Sequence, residues 1–204
     1  MASRVSTRGP LHNMEARSVA ESRTIFSQVM LPGDANPVGT VHGGTIAKLV
    51  DSTGAVAAMR HCRAYAASIV TVRIDAMNFV QPIHVGEVVT LRASVNDVGR
   101  TSLEVGVRVD AENVRTADVK HVASAYLVYV ALDDAGNPTA VPPLLVATDE
   151  ERRRQHAARA RRAARRRTCC SSRNSGSYRG VISSRRPRRG RAGSANAAPR
   201  PPWR

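Results

Sequence analysis

The segment that most constrains the fold of this chain runs from residue 34 to residue 59. It begins with turn-forming residues, passes through the triplet His42-Gly43-Gly44 and continues with a helical pattern. Apolar and small side chains recur on one face of that pattern: Ile46, Leu49, Val50, Thr53, Gly54 and Ala57. This periodicity predicts a long helix with one face in the core.

One acidic residue, Asp51, lies off the apolar face of the predicted helix. Its neighbours on the same side are Ala47, Ala55 and Ala58, so we expect the carboxylate to lie in a clearing that admits a substrate or a partner subunit. The glycine pair at the start of the helix leaves backbone N–H groups without intrahelical acceptors. Such groups can stabilise a developing oxyanion.

Five further segments have the composition of β-strands. They are rich in β-branched residues or alternate apolar with polar side chains, and they cover residues 23–31, 68–75, 87–96, 101–110 and 121–132. The order strand, helix, then four strands predicts an α+β fold with one helix over a largely antiparallel sheet. A layer this thin leaves an edge or a face for a second copy of the chain.

The charge of the chain is divided unevenly. Residues 1–151 hold 13 Lys and Arg with all 16 Asp and Glu, whereas residues 152–204 hold 18 Arg and no acidic residue. After a capping box at Thr148 and Glu151, we predict an Arg-rich helix over 148–167 and a disordered basic tail over 168–204. Residues 1–21 are also predicted to be disordered.

The basic tail has three interpretations: nonspecific nucleic-acid binding, binding to an anionic membrane surface, or no selected role. Its composition offers no platform for stacking bases, which argues against a sequence-reading RNA module. The three cysteines are Cys62, Cys169 and Cys170, and their spacing predicts neither a disulfide framework nor a structural zinc site. Without a signal-peptide or membrane-spanning pattern, the expected location is the cytoplasm.

Several motifs of the chain, taken in order, resemble one family. They are D-A-N followed by H-G-G-x-I-x-x-x-x-D, then M-N-F-V-Q-P-I-H-V-G-E-V-V, V-G-R-T-S-L-E-V, A-Y-L-V-Y-V-A-L-D and V-P-P-L. Together they are similar to the hotdog-fold acyl-CoA thioesterases, in the group of the brain-type cytosolic acyl-CoA hydrolases and the small bacterial acyl-CoA thioesterases. The resemblance covers residues 22–165, so we expect a domain over 22–147 followed by the Arg-rich helix.

The resemblance implies a hotdog fold, in which a five- to six-stranded antiparallel sheet wraps one long central helix. It also implies a homodimer with two equivalent sites at its interface and, commonly, a trimer of dimers. The implied activity is hydrolysis of fatty acyl-CoA to the free acid and coenzyme A. No metal or redox cofactor is expected, because coenzyme A enters as part of the substrate.

Site residues follow from the same motifs. The resemblance implies that Asp51 is catalytic, either as the base for water or as the nucleophile. Asn36 would orient the water or the thioester carbonyl, and the N–H of Gly44 would face the oxyanion. The other implied substrate-binding residues are the helix-entry pair and a turn that would receive the phosphates of coenzyme A: His42, Gly43, Arg100, Thr101 and Ser102.

Helix geometry adds a constraint that does not depend on the family. Gly44 and Asp51 are seven residues apart, which separates them by about 10 Å along one helix. A nucleophile and an oxyanion donor must both lie about 3 Å from the reacting carbon. We therefore expect a complete site to take Asp51 from one protomer and Asn36 with Gly44 from the other.

Two other functions are compatible with this fold. A non-catalytic acyl-CoA sensor could use the basic tail to bind nucleic acid, but a sensor has no need of a carboxylate such as Asp51. A hotdog hydratase or dehydratase would need a histidine paired with an acid in a different helix context, which this sequence lacks. The acyl-CoA thioesterase is the favoured prediction.

Overall fold

The computed structural model describes the backbone of residues 14–172 and the side chains up to residue 167. In chain order its regular elements are β1 (Arg17–Ser18), α1 (Val19–Ser22), β2 (Thr24–Val29), a 3₁₀ turn (Pro32–Asp34), α2 (Gly43–Cys62), a second 3₁₀ turn (Arg63–Tyr65), β3 (Ser68–Phe79), β4 (Val88–Val98), β5 (Ser102–Asn113), β6 (Asp118–Leu132), β7 (Leu144–Leu145) and α3 (Asp149–Ser172).

Five strands form one antiparallel sheet in the order β2-β4-β5-β6-β3, so β2 and β3 are its edges. Helix α2 packs against all five strands. The predicted α+β arrangement, with one long helix and a five-stranded antiparallel sheet, is confirmed. Each of the five strand predictions corresponds to one strand of this sheet.

The core lies between α2 and one face of the sheet. The alternating residues of β5 that were predicted to point inward are all buried there: Leu103, Val105, Val107 and Val109. From α2, the buried side chains include Ile46, Val50, Thr53 and Ala57, while Leu49 is half-buried. The periodicity of the sequence therefore identifies the core-facing side of the helix correctly.

The N-terminal segment departs from its prediction. Residues 1–21 are predicted to be disordered, but β1 pairs in parallel with β7 and α1 forms a capped turn, with Ser18 and Glu21 completing a capping box. Val19 is buried, and Ser22 accepts a 3.0 Å hydrogen bond from the N–H of Val95 on β4. These long-range contacts order the segment from residue 17 onward. Residues 1–13 lie outside the described residues.

Helix α3 begins as predicted, since Glu151 and Thr148 exchange the two hydrogen bonds of a capping box, each 3.2 Å long. It ends at Ser172, five residues beyond the predicted boundary, whereas residues 173–204 of the predicted tail lie outside the described residues. The compact unit that contains the sheet ends at Arg165. The residues that follow are described only as the last turns of α3.

Arginines dock α3 on the face of the sheet opposite to α2. Glu104 on β5 is 1% exposed and accepts hydrogen bonds from Arg161 at 2.7 Å and Arg165 at 3.1 Å. Arg165 also pairs with Asp75 of β3, and the Arg161 guanidinium lies 3.7 Å from the centre of the Tyr126 ring. Part of the Arg-rich segment is therefore structural. Within residues 14–172, no helix has the length and apolar character needed to cross a membrane.

Candidate functional site

Helix α2 begins beside a histidine that folds back over its first turn. His42 is the N-cap residue, and its Nδ1 accepts a 2.9 Å hydrogen bond from the N–H of Gly44. The N–H of His42 donates a 2.8 Å hydrogen bond to the carbonyl of Asp34, which ties the helix entry to the preceding turn. The N–H of Gly44, a predicted oxyanion donor, is thus engaged by an imidazole in this structure.

Asn36 organises the turn that precedes α2. Its Oδ1 accepts hydrogen bonds from the N–H groups of Val38 at 3.0 Å and Thr40 at 3.2 Å, and its Nδ2 donates to Oγ1 of Thr40 at 2.9 Å. This is the geometry of a turn-forming asparagine. Within the described residues, one N–H of the amide remains for a further acceptor. A catalytic use of Asn36 would rest on that N–H.

An open cleft of about 380 Å³ lies at the same end of α2. Gly43 contributes to its wall, and an added Cβ there would lie 3.5 Å from the ring of Phe79. The rest of the wall is mostly apolar and includes Val41, Ile46, Phe79, Val80, Pro82 and Ile83. A cleft with this lining suits an aliphatic chain more than a charged ligand.

Asp51 is half-buried and lies off the core-facing side of α2 that Ile46, Val50 and Ala57 form. We call the side that carries Asp51 the open face and define it by Gly44, Ala47, Asp51 and Ala55, which are all at least partly exposed. Ala58 was predicted to belong to the clearing around Asp51, but it is fully buried in the core. Fewer small residues therefore surround Asp51 on this side than the sequence predicts.

Thr71 on β3 is a site residue that the sequence analysis missed. Its Oγ1 donates a 2.7 Å hydrogen bond to Oδ1 of Asp51. The register of β3 against β6 shifts immediately after Thr71, so that Val72 bulges out of the ladder. A bulge changes the direction of neighbouring side chains, and the local sequence does not predict this one.

Tyr129 on β6 also contacts Asp51, through the helix backbone. Its hydroxyl donates a 3.0 Å hydrogen bond to the backbone carbonyl of Asp51, and Thr71 lies opposite Tyr129 in the sheet register. Burial raises the pKa of the Tyr129 hydroxyl above its usual value, so it remains a donor at physiological pH. Gly54 makes this contact possible, because an added Cβ would lie 2.4 Å from the hydroxyl oxygen.

The predicted phosphate-binding turn lies at the β4–β5 connection. The carbonyls of Arg100 and Thr101 accept 3.0 Å hydrogen bonds from the N–H groups of Val141 and Ala131, which leaves the exposed Arg100 side chain projecting from a fixed backbone. Ser102 begins β5. Among the described residues, no hydrogen bond or ion pair connects this turn with Asp51 or with the helix entry.

Other reactive groups are poor candidates for catalysis. Cys62 is buried, and burial raises the pKa of its thiol to about 11, which disfavours the nucleophilic thiolate. His61 is also buried, with its Nε2 placed 2.9 Å from the carbonyl oxygen of Pro142. Over residues 14–172, no three His, Cys, Asp or Glu side chains are placed to hold a metal ion.

A single protomer thus holds two separate groups of candidate residues. One group, at the start of α2, combines the Asn36 turn, His42, the glycine pair and the apolar cleft. The other, two helical turns further on, combines Asp51 with Thr71 and Tyr129. The length of the uninterrupted helix keeps the two groups about 10 Å apart.

Comparison with known proteins identifies the class that this fold and site define. The family model of the thioesterase superfamily matches residues 38–117, a range that includes both groups of candidate residues except Asn36 and Tyr129. The cytosolic acyl coenzyme A thioester hydrolase of Rattus norvegicus is 36% identical over 137 residues, which are 66% of this chain and 35% of the rat protein.

Solved structures agree with this class. An apo-hexameric acyl-CoA thioesterase superposes with a TM-score of 0.73 at 35% identity and covers 76% of this chain and 98% of its own. The acyl-CoA hydrolase of Staphylococcus aureus, solved with butyryl coenzyme A, coenzyme A and coenzyme A disulfide, gives a TM-score of 0.72 at 31% identity, covering 78% and 96%. Structures of that enzyme also exist for alanine variants of an aspartate, a threonine and an asparagine.

The fold is therefore the hotdog fold of thioesterases. This chain belongs to the thioesterase superfamily, which confirms the predicted family and the predicted class of enzyme, a thioester hydrolase.

Proposed function

We propose that this protein hydrolyses acyl-CoA to a free carboxylic acid and coenzyme A. The observation that carries the proposal is the 2.7 Å hydrogen bond from Thr71 to Asp51 on the open face of α2, in a chain that belongs to the thioesterase superfamily. Its rat relative and its S. aureus structural neighbour are both named for hydrolysis of acyl-CoA. The rat relative is described as cytosolic, which supports the predicted cytoplasmic location.

Asp51 supplies the carboxylate for the reaction. Thr71 holds its Oδ1, so Oδ2 is the oxygen that accepts a proton from water or attacks the thioester carbon itself. In the first route, the water oxygen bonds to the carbonyl carbon, and the C–S bond then breaks to release coenzyme A. In the second, an anhydride of Asp51 forms and water hydrolyses it. Neither route needs a metal or a redox cofactor.

The residue types varied in the S. aureus enzyme support this assignment. The asparagine and the aspartate changed there are 15 positions apart, and Asn36 and Asp51 have the same separation here. The third residue is a threonine 17 positions after the aspartate, and Thr71 lies 20 positions after Asp51, so the two threonines correspond only if this chain has three more residues in between. We therefore assign Asn36, Asp51 and Thr71 to the reaction.

A complete site requires two protomers. The distance along α2 separates Asp51 from Asn36 and the helix entry, so one thioester cannot contact both groups of a single chain. Within residues 14–172, the edge strand β3 next to this site has a partner strand on one side only, and it carries exposed apolar residues, including Val72, which is 51% exposed. We infer a homodimer with two shared sites, and a neighbour described as hexameric supports a trimer of dimers.

The substrate would occupy two further regions of the molecule. The apolar cleft beside Gly43 is suited to the acyl chain. His42 precedes Gly43 as the N-cap of α2, and we assign it to the same end of the substrate. The turn with Arg100, Thr101 and Ser102 offers a cation and hydroxyl groups for the phosphates of coenzyme A. These assignments extend the same proposal to all the predicted substrate-binding residues.

The proposal is tested by measuring release of coenzyme A from acyl-CoAs of graded chain length. We expect the wild type to be active and Asp51→Asn to lose about 10²–10⁴-fold in kcat, the usual contribution of a general base. Asp149→Asn, which changes an exposed carboxylate on α3, is the matched control and should retain full activity. An inactive wild type that still binds coenzyme A would support the sensor instead.

The two routes can be separated by a single turnover in ¹⁸O-labelled water. Attack by water leaves Asp51 unlabelled, because the label enters the fatty acid directly. In the direct route, water that attacks the Asp51 carbonyl carbon of the anhydride leaves its labelled oxygen in Asp51 during that turnover, and an unlabelled carboxylate oxygen departs with the acid. Label found by mass spectrometry in the peptide that contains Asp51 would therefore demonstrate the direct route.

A further inference from the structure

Strand β3 presents side chains to the two helices that lie on opposite faces of the sheet. Its register against β6 shifts at Val72 and again at Asp75. Before the first shift, Thr71 contacts Asp51 on α2, and at the second, Asp75 pairs with Arg165 on α3. Residues four apart on a regular strand face the same side, so the bulges allow these two residues to face different helices.

Arg165 connects two strands that are not neighbours in the sheet. Its Nη1 pairs with Asp75 on the edge strand β3 and lies 3.1 Å from Oε2 of Glu104 on β5, and β6 runs between these strands. The exposed fractions of the three side chains are small: 15% for Arg165, 9% for Asp75 and 1% for Glu104. Because a charge at this depth is costly to leave unpaired, the ion pair favours the position of β3 in which Asp75 meets the guanidinium.

The segment of β3 between the two helix contacts has few other interactions that fix its position. Within residues 14–172, β3 has a partner strand on one side only, and each bulge interrupts that ladder. Residues 70–74 are exposed, so core packing constrains them little. Arg73 also pairs with Asp75, but it belongs to the same strand and its side chain is 48% exposed. The contact with Arg165 is therefore the one that ties Asp75 to the rest of the sheet.

We propose that Arg165 is a positioning residue for the reaction, which acts through Asp75 to hold β3 where the Thr71 hydroxyl fixes the Asp51 carboxylate. This inference deepens the proposed acyl-CoA hydrolysis and rests on it. The hydrogen bond from Thr71 to Asp51 is 2.7 Å long, and a shift of the strand by about 1 Å would break it. Misplacement on that scale can cost up to about 10²-fold in rate. Helix α3 thus has a role in turnover as well as in stability.

Arg165→Gln removes the charge that holds Asp75. We expect kcat to fall about 5–20-fold with little change in KM, because the orientation of the carboxylate affects the chemical step more than substrate binding. The matched control is Arg161→Gln, since Arg161 binds the same Glu104 at 2.7 Å, but its contacts are with β5 and with the Tyr126 ring of β6. The control should lower the melting temperature without lowering kcat.

A double variant separates positioning from a general weakening of the fold. In Thr71→Val, the hydroxyl that β3 presents to Asp51 is already absent. Adding Arg165→Gln to that background should therefore lower kcat by less than about twofold, as expected when two residues act through the same contact. An equal loss in the wild-type and Thr71→Val backgrounds would mean that Arg165 acts only on the fold, and would overturn the proposal.

The experiment measures kcat and KM for release of coenzyme A from one acyl-CoA, with thermal melting of every variant. Unchanged kcat in Arg165→Gln overturns the role of Arg165 alone, whereas an inactive wild type overturns both this role and the proposed function. If Arg165→Gln does not fold, Asp75→Asn removes the same ion pair from β3 and decides the question in its place.

A second measurement does not depend on activity. Hydrogen exchange of the backbone amides of residues 70–76 should be faster in Arg165→Gln than in the wild type or in Arg161→Gln, because only the first variant releases β3. Equal exchange rates in all three proteins would contradict the proposal.

Discussion

A Cβ placed on Gly54 of α2 would lie 2.4 Å from the hydroxyl oxygen of Tyr129 on β6. The absence of a side chain at Gly54 therefore leaves room for the Tyr129 hydroxyl, which donates a hydrogen bond to the backbone carbonyl of Asp51. Helix propensity alone would favour alanine over glycine here by about 1 kcal/mol. Close packing opposes that preference.

We predict that Gly54→Ala destabilises the protein by about 1–3 kcal/mol, the usual cost of overpacking a core. Denaturation by urea measures the change. The matched control is the same substitution in a Tyr129→Phe background, where the nearest contact has been removed and the cost should shrink. An increase in stability for Gly54→Ala in the wild-type background would show that packing does not oppose helix propensity here.

The hydroxyl of Thr71 should matter for turnover and little for folding. Thr71→Val keeps the shape of the side chain but removes the donor to Oδ1 of Asp51, so the carboxylate loses its fixed orientation. We expect kcat to fall about 10–100-fold, as for misplacement of a reacting group. Thr71→Ser retains the hydroxyl and is the matched control. Equal losses in both variants would assign the effect to packing on β3.

The buried ion pairs under α3 should contribute far more to stability than its exposed ones. Glu104 is 1% exposed and pairs with Arg161 and Arg165, whereas the Asp149 side chain is 98% exposed and pairs with Arg152. Glu104→Ala removes the carboxylate shared by Arg161 and Arg165, although Arg165 keeps its pair with Asp75. We expect a loss of about 2–4 kcal/mol, moderated by the second pair and by the partial exposure of the arginines.

Asp149→Asn is the control for that experiment and should cost less than about 0.5 kcal/mol. Both variants are compared by thermal unfolding and by limited proteolysis after arginine, which reports release of α3. If the two variants were equally stable, the arginines of α3 would be a solvated face and not a docking surface.

Burial of His61 should make stability sensitive to mild acid. Burial lowers the pKa of His61, whose Nδ1 is buried and has no hydrogen-bond partner. The folded protein binds this proton less tightly than the unfolded chain does. The contribution of neutral His61 to the free energy of unfolding is therefore complete above the unfolded pKa of about 6.5 and is lost as the pH falls below that value. Acidification therefore favours unfolding.

The test compares the unfolding free energy at pH 7 and pH 5 for the wild type and His61→Gln. Glutamine can still donate to the carbonyl of Pro142 but does not titrate. We expect the decrease between the two pH values to be smaller in the variant by about 1–2 kcal/mol. An identical pH dependence would mean that His61 is not responsible for acid sensitivity.

The fold could be read from the sequence because its signals are local. The 3.6-residue pattern of α2 and the alternation in β5 identify the core-facing residues without knowledge of their partners. Thr71 could not be found this way, because its contact with Asp51 depends on a bulge and on the approach of β3 to α2. The pairing of Glu104 with Arg161 spans 57 residues, and no local pattern marks an outward-facing glutamate as a docking site.

The candidate site was predictable to a different extent. The family motifs identify Asp51, Asn36 and the glycine pair, but they carry no hydrogen-bond geometry. The contact of His42 with Gly44 depends on the rotamer of one side chain at a helix start. In this structure that contact engages the N–H of Gly44, which the motifs imply faces the oxyanion.

The proposed sharing of each site between two protomers can be tested by complementation. In Asp51→Asn, both sites of a homodimer lack the carboxylate, and in Asn36→Ala both lack the amide. A mixed dimer of the two variants has one site with both changes and one site with neither. Random re-pairing of equal amounts makes half of the dimers mixed, so we expect about a quarter of wild-type activity.

The experiment mixes the two variants after reversible dissociation and measures release of coenzyme A. Asp51→Asn re-paired with the double variant Asp51→Asn/Asn36→Ala is the matched control, because no combination of those chains contains an intact site. Recovery in the first mixture and none in the control would support sites shared across the dimer. Absence of recovery in mixtures whose mixed dimers are verified by mass would mean that each chain carries its own complete site, contrary to the spacing of Gly44 and Asp51 on one straight helix.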